Sequence, residues 1–246
     1  MNKAGAARAS LGAALLAALV LGLAPSACSL DPSPGKSAAR SSGFQPSQLG
    51  KTDMDRFAEA HLQDVLASLR LLAEKFYKRN PREYKKGGWS RPEDAVERLF
   101  GKQHNWRFNE LDGHAGVDAM QMALRPDYSG DRVFALFAGL GSMVLSAFND
   151  HYELYLLDDL NPQRLYNAAR NVEVVMWKLS QQKDAEGNSL LLSNEPGNLS
   201  FEREFGKIIG NLDTLSRIAA DKTNRTVVKS VQNVASMVFL PVAVIK

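Results

Sequence analysis

From Lys51 onward the chain repeats its apolar residues every three or four positions, a period that fits an α-helix and defeats a β-strand. Met54, Phe57, Ala58, His61, Val65, Leu69, Leu72, Ala73 and Phe76 fall on one stripe of such a helix. Thr52 and Asp55 predict its start, because a hydroxyl and a carboxylate three residues apart can take orphan amides in a capping box. Asn80-Pro81 predicts its end. The same rhythm gives Ser90–Phe100, with Ser90 and Glu93 as cap, then His114–Leu124, stopped by Pro126, and Asp131–Asn149. Asn161-Pro162 places an N-cap before a first-turn proline and opens a helix to about Gln182. Ser200–Ala220 and Thr223–Phe239 follow, the last stopped by Pro241. No alternation of period two persists, so the expectation is an all-α domain of about seven helices over 51–246. The chain shows no internal repeat, which argues against a solenoid.

Two segments stand out. Val133 to Phe148 carries no charge, and small residues recur four apart at Ala135 and Gly139 and at Ala138, Ser142 and Ser146. Such spacing lets helix backbones approach closely. Sixteen residues fall short of the roughly 20 needed to cross a bilayer, so a central buried helix is expected rather than an inserted one. The connection Lys183–Asn198 has turn formers on both sides of Leu190, Leu191 and Leu192 and reads as a short hairpin or ordered loop.

The amino terminus fixes the address. Lys3 and Arg8 precede an uncharged apolar run, Leu11–Leu23, of signal-peptide length. Ala24, Pro25, Ser26 and Ala27 lead to Cys28, the only cysteine. Small residues at the two places before it make the segment resemble the bacterial lipobox, although Pro25 stands where that pattern prefers Leu. The resemblance implies cleavage after residue 27 and lipid on Cys28. Ordinary secretion with a cut after Ser26 is the alternative. A single cysteine also leaves no intramolecular disulfide. Residues 28–50 then read as the lipidated cysteine and a tether, since Ser29–Gln48 is rich in Ser, Pro, Gly and Ala. A flexible chain of that length reaches roughly 25 Å. Ser29, rather than aspartate, follows the cysteine, which by the same resemblance implies the periplasmic face of the outer membrane.

The run NLSFEREFGKIIGNLD from Asn198 to Asp213, with FLPV from Phe239 to Val242, resembles an uncharacterised family of proteobacterial lipoproteins. The resemblance implies export and anchoring and carries no catalytic residue with it.

The chain's partial motifs for chemistry are each incomplete. Gly35-Lys36-Ser37 ends like a phosphate loop, but Leu30 stands where its first glycine belongs. Gly139-Leu140-Gly141-Ser142 lacks the third glycine of a dinucleotide fingerprint and the spacing of a nucleophile elbow. His104, His114 and Asp118 could in principle ligate zinc, the last two one turn apart on the expected helix, but no HExxH supports them. His151 near Asp150, Glu153, Asp158 and Asp159 could be a base, or simply an acidic turn. Asp184–Asn188 lacks EF-hand spacing. No catalytic residue, metal or cofactor is therefore expected, and an enzyme is the less favoured class.

The net charge of +3 includes Lys3 and Arg8, so the processed chain is nearly neutral and offers no global attraction to nucleic acid. Its one basic segment runs from Lys75 to Arg91, with Lys75, Lys78, Arg79, Arg82, Lys85, Lys86 and Arg91 against Glu83 and with Phe76, Tyr77, Tyr84 and Trp89 between them. In the envelope such a patch could meet anionic headgroups or polymers, the cations supplying charge and Trp89 an interfacial anchor. A solvated helix end is the plainer alternative. The expected role is a membrane-anchored envelope lipoprotein whose helical domain binds a protein or polymer. An enzyme acting on lipid or peptidoglycan, and a membrane-active protein inserting Val133–Phe148, are the alternatives.

Overall fold

A computed structural model describes residues 51–155, 158–184, 186–193, 198–229 and 238–242. Cys28, the signal segment and the tether lie outside the described residues.

The described residues are all-helical: α1 (Asp53–Arg79), α2 (Pro81–Lys86), α3 (Pro92–Phe100), α4 (Gly116–Ala123), α5 (Arg132–Ala147), α6 (Pro162–Gln181) and α7 (Ser200–Thr223), with a 3-10 turn at Asn109–Leu111. The α1 start has the expected capping box: Thr52 Oγ1 accepts the Asp55 N–H at 3.1 Å, and Asp55 Oδ2 accepts the Thr52 N–H at 2.7 Å. Of its stripe, Ala58, Val65, Leu69, Leu72, Ala73 and Phe76 are buried, whereas Phe57 stays at the surface against the His61 ring.

The uncharged helix is central. Nearly every residue of α5 is buried, and α1, α2, α3, α4 and α6 all touch it. Its small residues are where neighbours come closest. A Cβ on Gly139 would lie 2.7 Å from the Gly116 carbonyl oxygen of α4, and one on Gly141 would lie 2.2 Å from the Trp106 ring. α6 and α7 pack together and α7 reaches α1, so a single apolar cluster runs from Ala58 to Val242. No described helix is long and apolar enough to cross a membrane.

Four boundaries differ from expectation. Arg91, not Ser90, is the N-cap of α3 and makes no side-chain cap bond; Pro92 fixes the first turn and keeps its predecessor extended. His114 lies before α4, not in it, because Asp112, Gly113 and Gly116 take positive φ and delay the helix to Gly116. An extra short helix, α2, follows Asn80, with Pro81 in its first turn. The helix expected from Thr223 does not form where it can be seen. Asn224 turns left-handed at φ 50° and ends α7, residues 225–229 are irregular, and 230–237 lie outside the described residues.

The connection after α6 is a hairpin in miniature. Lys183 and Ser189 form an antiparallel bridge, and Asp184 Oδ1 accepts the Glu186 and Asn188 N–H groups. Leu190 and Leu191 turn into the protein, and Leu192 is half exposed. Asn80 holds this segment from the end of α1. Its Nδ2 donates to the Leu192 carbonyl at 2.9 Å, and its Oδ1 accepts the Leu192 N–H at 2.8 Å.

Candidate functional site

A cleft of about 910 Å³ lies between the loop before α4, the second half of α5 and the segment carrying Pro241 and Val242. Its walls carry His104, His114, Asp112, Asp118, Asp150 and Tyr152, with Pro241 and Val242 closing one side. A cleft of that size falls in the range of small-molecule sites.

Its geometry depends on backbone that few side chains tolerate. Trp106, Asp112, Asn149 and Asp150 all have φ between 50° and 62°, a region costly for residues with a Cβ. Trp106 shows why the conformation holds. Its ring lies against Gly141 and makes edge contacts with Phe100 and Phe108, and its Nε1 donates to Tyr152 Oη at 2.8 Å. Tyr152 Oη in turn donates to the His104 carbonyl at 2.9 Å.

His104 belongs to that scaffold. Its Nδ1 accepts the Trp106 N–H at 2.9 Å, and its Nε2 donates to the Leu99 carbonyl at 2.8 Å. Both ring nitrogens are therefore spent on main chain, in a neutral imidazole. The fold brings His104, His114 and Asp118 to one cleft, as their residue types invited. No set of three or more metal-ligating side chains able to hold an ion occurs among the described residues. Ser142 Oγ accepts the Gly116 N–H at 2.6 Å and donates within its own helix to Ala138, and Ser146 Oγ accepts from Arg164. Neither hydroxyl meets a histidine. His151 stands outside the cleft, exposed and 3.6 Å from Asp158.

Arg164 was not singled out by sequence, yet it ties the cleft together. Its guanidinium donates to the Ser146 carbonyl, to Asn149 Oδ1 at 2.9 Å and to the Val242 carbonyl at 2.6 Å. Burial pulls its pKa below the ordinary arginine value, and the charge of Asp150 acts in the opposite direction. The available signal was positional: Arg164, Asn167 and Asn171 share one face of α6 at three- and four-residue steps.

The basic segment folds differently from a surface patch. Phe76 and Tyr77 are buried, Tyr84 packs on the core, and Trp89 stacks on Phe134 with centroids 5.8 Å apart. The aromatic anchors therefore serve the interior. Glu83 is fully buried at the start of α5, where its Oε2 accepts the Arg132 N–H at 3.0 Å; Arg82 and Lys86 neutralise it at 3.2 and 2.9 Å. Lys75 bonds the Ser200 carbonyl and pairs with Glu204, and Arg91 pairs with Asp94. Arg79 is half-buried. Lys78 and Lys85 are exposed, with no acidic partner among the described residues.

No protein-family model, curated protein or solved structure matches the chain.

Proposed function

We propose that the chain is an envelope lipoprotein, anchored through lipid on Cys28 at the periplasmic face of the outer membrane, whose helical domain acts by binding. The observation that carries the binding part is the cleft. It offers hydrogen-bonding groups around a roomy hollow, and one of its two histidines, His104, has both nitrogens committed to main chain. The anchoring part is supported by the apolar run Leu11–Leu23 ending at small residues and the single cysteine. The insertion alternative would require withdrawing α5 from contact with five other helices.

Two measurements test this reading. Cys28→Ala should abolish incorporation of radioactive fatty acid and release the chain from the membrane fraction; unchanged labelling would refute the anchor. A photo-crosslinking residue at Val117, on the cleft wall, should capture a defined envelope component in intact cells, and one at Gly206, on open α7 surface, should not. Turnover of lipid or peptidoglycan that disappears on replacing His114 would instead establish the enzyme.

A second reading, contact with an anionic surface, has narrower support. It rests on Lys78 and Lys85 alone, since Lys75, Arg82, Lys86 and Arg91 are engaged within the fold. Binding of the unlipidated domain to vesicles of phosphatidylglycerol should fall on replacing those two lysines by glutamine and should weaken as salt rises.

A further inference from the structure

Arg164, Asn167 and Asn171 all reach one extended segment, and all their bonds to it go to main-chain atoms. Asn171 Nδ2 donates to the Leu240 carbonyl at 2.8 Å, and its Oδ1 accepts the Leu240 N–H at 2.6 Å. Asn167 Nδ2 donates to the Pro241 carbonyl at 2.8 Å, and Arg164 Nε to the Val242 carbonyl at 2.6 Å. Three successive carbonyls are thus taken in order down one face of α6. Main-chain bonds that hold an extended chain, with pockets for alternate side chains, are how grooves read peptides. Phe239 and Val242, three positions apart, are buried, with Lys178 Nζ 5.9 Å from the Phe239 ring centroid, while Pro241, which has no N–H to satisfy, is exposed. Asn171 is itself fully buried. An interior amide is costly without partners, so this face is built for an occupant.

We propose that this face of α6 is a binding site for an extended peptide of the form aromatic–aliphatic–proline–aliphatic, filled in cis by Phe239–Val242 and in trans by a partner segment of the same chemistry. The resident segment defines the ligand: one N–H and three carbonyls in sequence, proline where no donor is needed, and an apolar side chain at each end. Among the described residues these polar ties run to α6 side chains, so an incoming chain of the same form replaces them bond for bond. Exchange also removes Pro241 and Val242 from the wall of the cleft. This site goes beyond the cleft-binding reading, and its failure would leave fatty-acid labelling and the Val117 crosslink untouched.

The test uses the full chain and a fluorescein-labelled peptide VFLPVA, the sequence of residues 238–243. Leu240→Pro deletes the N–H that Asn171 accepts and loosens the resident segment without altering α6. Fluorescence anisotropy should show the peptide binding this variant at least about tenfold more tightly than the wild-type chain, whose own segment competes. Adding Asn171→Leu should abolish that binding, and a scrambled peptide should not bind. A Leu240→Pro chain that keeps its helical circular dichroism yet ignores the peptide overturns the proposal, as does binding indifferent to Asn171→Leu. If Leu240→Pro fails to fold, hydrogen exchange in the wild-type chain decides. The Leu240 amide should be roughly a hundredfold less protected than the amides of Val172 and Val175, as a locally opening segment must be. Equal protection would make Phe239–Val242 a fixed part of the core and end the idea.

Discussion

Asp131 should make the stability of this protein fall as pH rises from about 4 to about 6. Its carboxylate caps α5, with Oδ1 accepting the Phe134 N–H at 2.9 Å and Oδ2 accepting the Tyr77 hydroxyl at 2.8 Å. Only 5% of the residue is exposed. Burial pushes its pKa from 3.8 up to about 6, and the neighbouring Glu83 charge adds to the rise, against the hydrogen bonds that lower it. Tyr128 and Arg132 flank the same pocket. Between those values the folded chain keeps a proton that the unfolded chain has released, so the contribution of Asp131 is fully present below pH 4 and is lost as pH climbs through 6. A rise of about two units corresponds to about 3 kcal/mol. Asp131→Asn keeps an N-cap acceptor and has no proton to lose. The difference in unfolding free energy between the two chains should therefore change by about 3 kcal/mol from pH 4 to pH 7, in favour of the asparagine variant at pH 7. With a urea slope of roughly 1–3 kcal/mol per molar, the gap between midpoints should move by about 1–3 M. Glu204 and Glu110, whose pKa values are lowered, tilt both curves the other way and cancel in the difference. Parallel urea curves at pH 4.5, 5.5 and 7, with a constant gap between wild type and variant, would refute the reasoning.

Gly141→Ala should lower the melting temperature, because its Cβ would overlap the Trp106 ring; overpacking of this kind costs about 1–3 kcal/mol. Gly206→Ala, with open space around it, should raise the melting temperature, since helix propensity contributes up to about 1 kcal/mol of stability. Glu83→Ala should destabilise by about 3–5 kcal/mol in urea unfolding, since it removes the partner of Arg82 and Lys86 and the acceptor of the Arg132 N–H. Lys78→Gln with Lys85→Gln should leave the melting temperature unchanged while Arg82→Gln with Lys86→Gln lowers it, which separates surface charge from the charge that neutralises Glu83.

Most of the architecture was legible because each device that made it is local. The Thr52–Asp55 box, the Asp131 and Asn161 caps and the charge-free run of α5 each declare an element within a few residues. The errors also have local causes. Pro92 overrode Ser90 as the start of α3, and left-handed turns at Asp112 and Asn224 moved one helix start and ended α7. A hydrophobic stripe does not report such turns, because Asp and Asn occur equally well on a helix surface. The basic segment was legible only as composition. Composition counts seven cations, but it cannot show that Glu83 lies beneath two of them or that Phe76 and Tyr77 face inward.

The site was less legible because its polar residues act on the main chain of segments remote in sequence. Asn80 grips Leu192 and Asn171 grips Leu240, each with both faces of its amide, across 112 and 69 residues. In a fold with no strand among its described residues, these side chains do for two segments outside the helices what a neighbouring strand does in a sheet. A sheet announces itself by alternation in both strands, whereas an asparagine clamp leaves one residue on a helix and no pattern in the segment it holds. What remains visible is an asparagine on a helix face that ought to be apolar. Asn167 and Asn171 sit among Leu165, Ala168, Val172 and Val175, where a polar side chain would cost stability unless something paired with it. A buried asparagine inside an amphipathic stripe therefore signals a clamped backbone elsewhere in the chain.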